Sequence, residues 1–162
     1  MSNIAYLSKF GDWTRAGVVL QGLSVNLFPA FRAQILADGN MIVETLQGHI
    51  QAQDLPWAPI AERTIAIKGN SIIYIDTGYL MNSIKVRRVR SVANGLTIFV
   101  GANPWTGSSS GHKLSDIMIW LEYGTSKMPP RPLIRPTWEE VEPVIRDNWE
   151  ALFRGLIETG GK

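Results

Sequence analysis

The 162-residue sequence contains no cysteine. This absence excludes disulfide scaffolds, thiolate zinc sites, iron–sulfur clusters and cysteine nucleophiles. At roughly 100–200 residues per domain, the length predicts one domain over residues 1–162. We expect a helical part over 1–53, followed by a sheet and a C-terminal helix over 54–162. A chain of this size buries about two-thirds of its unfolded surface, so its core needs no covalent support.

Charged residues are also scarce, at 19% of the sequence against about 25% in average globular domains. Sixteen Lys and Arg against fourteen Asp and Glu give a net charge of +2, which is too small to indicate nucleic-acid binding by itself. Six tryptophans are present, and large aromatic side chains concentrate at the centres of protein interfaces. Composition leaves two interpretations open: a Trp-rich monomeric core, or a surface covered by neighbouring chains.

Long apolar runs are missing as well. The longest stretch without a charge in the N-terminal third, residues 16–31, contains Gln21, Asn26 and Pro29, whereas a membrane-spanning helix needs about 20 mainly apolar residues. A signal peptide is not expected either, because Asp12 precedes a poorly apolar centre. We therefore expect a soluble protein made in the cytoplasm, with no membrane partner.

The N-terminal third has helical periodicity, since apolar residues recur at three- and four-residue spacing. We expect two helices with a break at residues 24–29, the second one long, kinked at Gly39 and followed by a loop from Gln53. A short helix is expected over 61–68. One or two further helical turns should follow Asp76 or Thr77, either of which can cap a helix N-terminus.

The clearest β signal is a hairpin. Residues 84–92 and 96–100 are rich in β-formers and flank Ala93-Asn94-Gly95, and Asn-Gly favours a tight hairpin turn. A loop over 103–115 rich in Gly and Ser should follow. The next expected element is a helix over 116–123, capped by Ser115 or Asp116 and closed by Gly124.

The last predicted element is a C-terminal helix. Pro136 is expected at its first position, with Glu139 and Glu140 in the first turn. Pro143 should either kink the helix or mark the start of its regular part. The element order predicts an α+β fold with N-terminal helices, an antiparallel sheet with a prominent β-hairpin, and a C-terminal helix.

Candidate catalytic groups are few. His49 and His112 have no carboxylate or second histidine at metal-ligand spacing, and we expect His49 to face solvent or cap its helix. A triad of Ser110, His112 and Asp116 lacks a nucleophile elbow. Asp76 is better explained as a residue that caps a turn or a helix, and Glu122 as the partner of an arginine. We therefore expect no enzyme activity, no catalytic residue, no cofactor and no metal.

The main basic feature lies on the first hairpin strand. Because alternate strand residues share a face, Lys85 and Arg87 should point one way, and Arg88 and Arg90 the other. These four side chains are candidates for phosphate contact along a DNA channel. The alternative is that their charges protect the hairpin edges against unwanted strand pairing.

Two segments carry a resemblance to a known family. Residues 121–137 read LEYGTSKMPPRPLIRPT, and upstream the chain has WAPI at 57–60, then Thr64, Lys68 and IDTGYLMNSI at 75–84. This pattern resembles the signature of tail-completion, or head–tail joining, proteins of long-tailed bacteriophages. The resemblance covers residues 57–138. Leu133 departs from it where the family usually has Phe, and Pro130 where a small residue is common.

The resemblance implies a non-enzymatic virion protein of the phage neck, made in the host bacterial cytoplasm. Such proteins form rings around the DNA channel, and a hexamer is preferred here over a dodecamer because tails are six-fold. The implied partners are further copies of this chain, other neck and tail proteins, and DNA contacted non-specifically. The alternative function is a DNA-binding module that uses the basic hairpin at 85–90.

Candidate subunit-interface residues follow from the same segments. The proline-rich stretch should hold Arg131 and Arg135 on a stiff backbone, where their guanidinium groups suit carboxylates of an adjacent subunit. The alternative is pairing within the chain, with Glu122 or Glu139. Trp105, in the Gly/Ser-rich loop, is a typical interface anchor.

Overall fold

The computed structural model describes residues 13–92, 95–103 and 111–159. Within these ranges the chain forms five helices and two strands. The α+β class, the antiparallel hairpin and the C-terminal helix expected from the sequence are confirmed. In chain order the elements are α1 (Trp13–Ala52), α2 (Glu62–Lys68), α3 (Tyr79–Ser83), β1 (Lys85–Val92), β2 (Gly95–Gly101), α4 (Leu114–Tyr123) and α5 (Ile134–Thr159).

Helix α1 is continuous over 40 residues and includes Pro29, so the predicted break at 24–29 is wrong. A proline in a helix interior costs about 3 kcal/mol, and packing beside it offsets that cost. Phe31 makes edge-on contacts with Trp149 and Phe153 of α5, at centroid distances of 5.2 and 5.3 Å. The helix ends at Ala52, so the loop predicted from Gln53 is confirmed.

Helix α5 lies antiparallel to α1. His49 lies beside Glu140 near the start of α5, and Asp38 accepts a 2.7 Å hydrogen bond from the Trp149 indole. Earlier on α1, Phe31 contacts Phe153, which is further along α5. The helix runs through Pro143 without ending. In its second turn, Val141 is buried and Trp138 is half exposed.

Gly39, in the middle of α1, is buried because the hairpin lies directly on the helix backbone. A Cβ atom at this position would collide with the Ile98 side chain and lie 3.0 Å from Val86 Cγ2. The helix continues through Gly39, and this close approach accounts for a poor helix former at mid-helix.

We expect Gly39→Leu to lower the free energy of unfolding by about 1–3 kcal/mol, because the added side chain overpacks the helix–hairpin contact. Gly48→Leu is the matched control, since Gly48 lies on the same helix with no atom within 4 Å of its would-be Cβ. It should stabilise by up to about 1 kcal/mol through helix propensity. Urea unfolding of both variants measures the difference. Equal effects at the two sites would contradict the close packing.

The hairpin pairs Val92 with Gly95 and runs back to Lys85 opposite Gly101. Its turn residues, Ala93 and Asn94, lie outside the described residues. Four half-buried residues face α1: Val86, Val89, Ile98 and Val100. The opposite face is exposed, including Thr97 and Phe99. The hairpin is therefore half-buried, with one face on the body and the other free.

The starts of α3 and α4 differ from expectation. Gly78 caps α3 with φ +78°, in place of Asp76 or Thr77. Helix α4 begins at Leu114 after Lys113, earlier than the predicted Ser115 or Asp116 cap, because Leu114 is buried in the core. Its predicted end at Gly124 is confirmed.

The core lies between the C-terminal half of α1, helices α3 and α4, and the segments that connect them. Its most deeply buried side chains, at most 1% exposed, are Ile50, Ile84, Leu114, Leu133 and Thr137. Leu133 immediately precedes α5, so this core fixes the position at which the last helix starts.

Candidate interaction site

Glu122, buried at the end of α4, binds the N-terminus of α5. Its carboxylate accepts hydrogen bonds from the backbone N–H groups of Leu133, Ile134 and Arg135, at 2.7, 3.0 and 3.2 Å. A helix N-terminus leaves such groups unpaired and carries partial positive charge, so a carboxylate there is stabilising. This contact ties two helices together through one side chain.

Because α5 begins at Ile134, Pro136 is its third residue and not its first. Glu139 and Glu140 fall in the second turn, and the first turn contains no acidic residue. The expectation for all three residues is thus corrected. The acid that the helix N-terminus favours comes from Glu122 in another helix.

Arg131 is 5% exposed and joins the two segments that carry the family resemblance. Its Nε donates to the Ala58 carbonyl at 2.7 Å and its Nη2 to the Pro59 carbonyl at 2.8 Å. Its backbone N–H donates to Leu121 O at 2.7 Å. These bonds lie within the chain, and their acceptors are carbonyls and not the carboxylate of Glu122 or Glu139.

Two aromatic residues complete the same junction. The Trp57 indole donates to Pro132 O at 2.7 Å, and the Tyr74 hydroxyl donates to Arg131 O at 2.7 Å. Their rings lie 5.2 Å apart. We call the set formed by Trp57, Ala58, Pro59, Tyr74, Glu122, Arg131 and Pro132 the clasp.

Tyr74 is buried, with φ +64° in the left-handed region, which is uncommon for a bulky residue. Burial raises the pKa of its hydroxyl well above the usual value, and the charge of Glu122 raises it further while Arg131 opposes. The hydroxyl therefore stays protonated and remains a donor to Arg131 O.

Gly124 allows the tight turn between α4 and the proline-rich segment. It has φ +75°, and a Cβ there would lie 2.8 Å from Met128 O and from Pro130 N. Thr125 and Met128 form an isolated antiparallel bridge across this turn. Only glycine fits, because both the backbone angle and the contacts exclude a side chain.

A cavity of about 590 Å³ lies beside the clasp. Apolar side chains of α4 form one wall, and Ile60, Met128 and Pro129 contribute others. Several lining residues are exposed, among them Thr64, Tyr79 and Lys127, so the cavity opens to the surface. Burial lowers the pKa of Lys68, which lines the cavity. The charge of Asp76 raises this pKa, and the charge of Arg131 lowers it further.

The other interface candidates have different placements. Arg135 is largely exposed, and its Nε lies 2.9 Å from Oε1 of Glu139, one helical turn away. This contact is the pairing within the chain that was the alternative to pairing with an adjacent subunit. Trp105 lies outside the described residues, as do Ser108, Ser109 and Ser110. Arg135 therefore remains at the surface, in contrast to Arg131.

The basic hairpin strand does not alternate as predicted. A β-bulge between Val86 and Arg88 adds one residue, which reverses the faces that follow. Lys85 and Arg90 consequently share the exposed face. Arg87 at the bulge donates from Nη2 to Ser83 O at 2.6 Å, so it braces the strand start. Arg88 is opposite Phe99 in register.

Of the groups considered for catalysis, Ser110 lies outside the described residues, and the two histidines have separate contacts. Contrary to expectation, His49 is buried, with Nδ1 2.8 Å from Asp54 Oδ1 and Nε2 3.1 Å from Glu140 Oε2. His112 contacts the Trp120 ring edge-on at 5.0 Å. Within residues 13–92, 95–103 and 111–159, no group of three or more His, Asp or Glu side chains is arranged to hold a metal ion.

Of the helices in the described part of the chain, none is both long and apolar enough to span a bilayer.

Sequence reasoning missed the tertiary partners at this site. The role of Glu122 had a local signal, namely an acid twelve residues before a proline-flanked helix start, but the groups it binds were not evident. The partners of Arg131 and His49 are 73 residues and up to 91 residues away along the chain, and periodicity carries no information at that range.

No protein-family model, curated protein or solved structure matches this chain.

Proposed function

We propose that this chain is a structural protein of a tailed-bacteriophage neck, which completes the tail or joins it to the head as a ring around the DNA channel. The observation that carries the proposal is the clasp. The two segments that resemble the tail-completion signature are far apart in sequence, yet Arg131 and Trp57 bond them directly. Residues that build one junction are expected to persist together as a signature.

Exposed apolar side chains support assembly into an oligomer. Tyr123 is 78% exposed, Ile119 54% and Trp120 37%, all on α4. Scattered exposed apolar residues are ordinary, but contiguous ones indicate contact with a partner. A hexamer is the preferred ring and a dodecamer the alternative. Arg135 and Trp105 remain candidates for the contact between subunits.

The experiment that tests this function locates the protein in a virus particle. An antibody against this chain should label the head–tail junction of particles made by a virus that encodes it, seen by electron microscopy. Labelling along the tail or over the capsid, or particles without the chain, would contradict the proposal. Native mass spectrometry of the purified protein then gives the number of copies in any ring.

The second candidate function, a DNA-binding module, is favoured by Lys85 and Arg90, which share the free face of the hairpin. A dedicated binder usually neutralises several phosphates, and each contact steepens the salt dependence of binding. Arg87 is engaged in bracing the strand, which leaves fewer cations for this role. Mobility-shift assays with DNA on the parent protein and on Lys85→Ser and Arg90→Ser variants distinguish the two functions. Tight, salt-sensitive DNA binding by the parent protein that is lost in both variants would favour the DNA-binding module.

A further inference from the structure

The cavity beside the clasp combines buried apolar walls with a few polar groups. Ile73, Leu80 and Leu114 line it, and each is at most 9% exposed. Its volume of about 590 Å³ lies within the range of sites that hold drug-sized molecules. Such sites pair largely apolar walls with a small number of placed polar groups. The cavity is therefore a candidate binding site for a small molecule with an apolar body.

The charged side chains of the lining differ in their surroundings. Glu62, Asp76 and Lys127 are exposed, so solvent and salt screen their charges. Arg131 is buried and donates to main-chain carbonyls, and Lys68 is half-buried. Because acids and bases are both present, the net charge of the lining does not define a ligand. The class of ligand has to follow from the chemistry of an individual side chain.

Lys68 is the last residue of α2, and its amine is held in place at the cavity wall. Gly69, with φ +75°, ends the helix, and the Lys68 Nζ donates to the carbonyl of Ile72 at 2.7 Å. This hydrogen bond uses one N–H group. A neutral amine in this position therefore keeps its lone pair free to react with a molecule in the cavity.

The surroundings of this amine favour its neutral, nucleophilic form. Burial lowers the pKa of Lys68; the charge of Asp76 raises it, and that of Arg131 lowers it further. A lysine that is desolvated in an apolar pocket, or placed next to another cation, is activated as a nucleophile toward carbonyl compounds. Lys68 has both features, whereas Lys127 in the same lining is exposed.

We propose that the cavity is a covalent binding site for an aldehyde with an apolar body, which Lys68 captures as an imine. The Nζ lone pair attacks the carbonyl carbon, a C–N bond forms, and one amine proton passes to the carbonyl oxygen. That oxygen then leaves as water with the second amine proton. Amine and aldehyde thus become imine and water, with no oxidant or reductant required. This site goes beyond the proposed neck function and does not depend on it.

Reductive trapping on the intact protein tests the site. We would add one equivalent of 2-naphthaldehyde with sodium cyanoborohydride, which converts the imine to a stable secondary amine, and quantify each modified lysine by peptide mass spectrometry. Lys127 is the internal control, because it lines the same cavity but is exposed. We expect at least tenfold more modification at Lys68 than at Lys127. Equal modification of the two lysines would overturn the proposal.

Two further probes separate capture in the cavity from reactivity of the amine alone. Acetaldehyde has no apolar body, so the preference for Lys68 over Lys127 should fall at least threefold. An excess of 2-naphthalenemethanol, which has the same body but no carbonyl, should slow the labelling of Lys68 by 2-naphthaldehyde at least fivefold. An unchanged preference with acetaldehyde, or no protection by the alcohol, would overturn the cavity as the binding site and leave only a reactive surface amine.

Lys68→Arg and Lys127→Arg form a matched pair of variants. Arginine keeps a cation that can donate to the Ile72 carbonyl, but its guanidinium group forms no imine with the aldehyde. Trapping with 2-naphthaldehyde should lose the cavity adduct in Lys68→Arg and retain it in Lys127→Arg, while the circular dichroism of both matches that of the parent protein. An adduct that is lost only in Lys127→Arg would overturn the role of Lys68. If Lys68→Arg does not fold, the trapping and protection measurements on the parent protein decide.

Discussion

Replacing Glu122 with glutamine lowers the free energy of unfolding by about 2–4 kcal/mol, because hydrogen bonds to a charged group are worth about 1.5–3 kcal/mol and the helix dipole adds to them. Glutamine keeps the shape of the side chain but turns one acceptor oxygen into an amide NH₂. That NH₂ group then faces the backbone N–H of Leu133, Ile134 or Arg135, and two donors cannot form a hydrogen bond with each other. Thermal or urea unfolding of the purified variant measures the loss.

Glu139→Gln is the matched control for this prediction. Glu139 lies on α5 and bonds Arg135, but both side chains are more than half exposed. An exposed pair one helical turn apart is worth about 0.3–0.5 kcal/mol, so the control should lose no more than that. Similar losses in the two variants would contradict a special role for Glu122 at the α5 N-terminus.

Local patterns predicted the secondary structure well. The hairpin signal at Asn94-Gly95, the helix end before Gln53 and the stop at Gly124 all depend on residues within a few positions of the feature. The failures at Pro29 and Pro136 have the opposite cause. In each case a contact from a distant element, Phe31 with Trp149 or Glu122 with Leu133, stabilises a helix that the local sequence would end or start elsewhere.

The candidate site was only partly accessible to the same reasoning. The importance of Arg131 could be inferred from the proline-rich segment, but its targets are main-chain carbonyls, which no sequence pattern identifies. The alternation of charges on β1 failed because a single bulged residue, Arg87, changes the parity of the strand. The cavity depends on three-dimensional placement and had no sequence signal beyond the apolar residues themselves.

The second large effect concerns Arg131. We expect Arg131→Met to lower the free energy of unfolding by about 2–4 kcal/mol, because the carbonyls of Ala58 and Pro59 lose charged donors in a buried place. Arg131→Lys should recover only part of this loss, since an ammonium group lacks the planar fork that reaches two carbonyls at once. Urea unfolding monitored by total tryptophan fluorescence measures the loss, and Trp57, which bonds the adjacent Pro132, is one of the six tryptophans that contribute to the signal.

Arg135→Met separates the role of the clasp from the general effect of removing an arginine. The Arg135 side chain is 82% exposed, so its loss should change stability by less than about 0.5 kcal/mol. If Arg135 contacts a neighbouring subunit, that variant should assemble poorly while folding normally, whereas Arg131→Met should fail first in folding. Equal stability of the two variants would mean that the two segments of the signature do not depend on Arg131 to stay joined. The clasp would then be a consequence of the fold around it and not a cause.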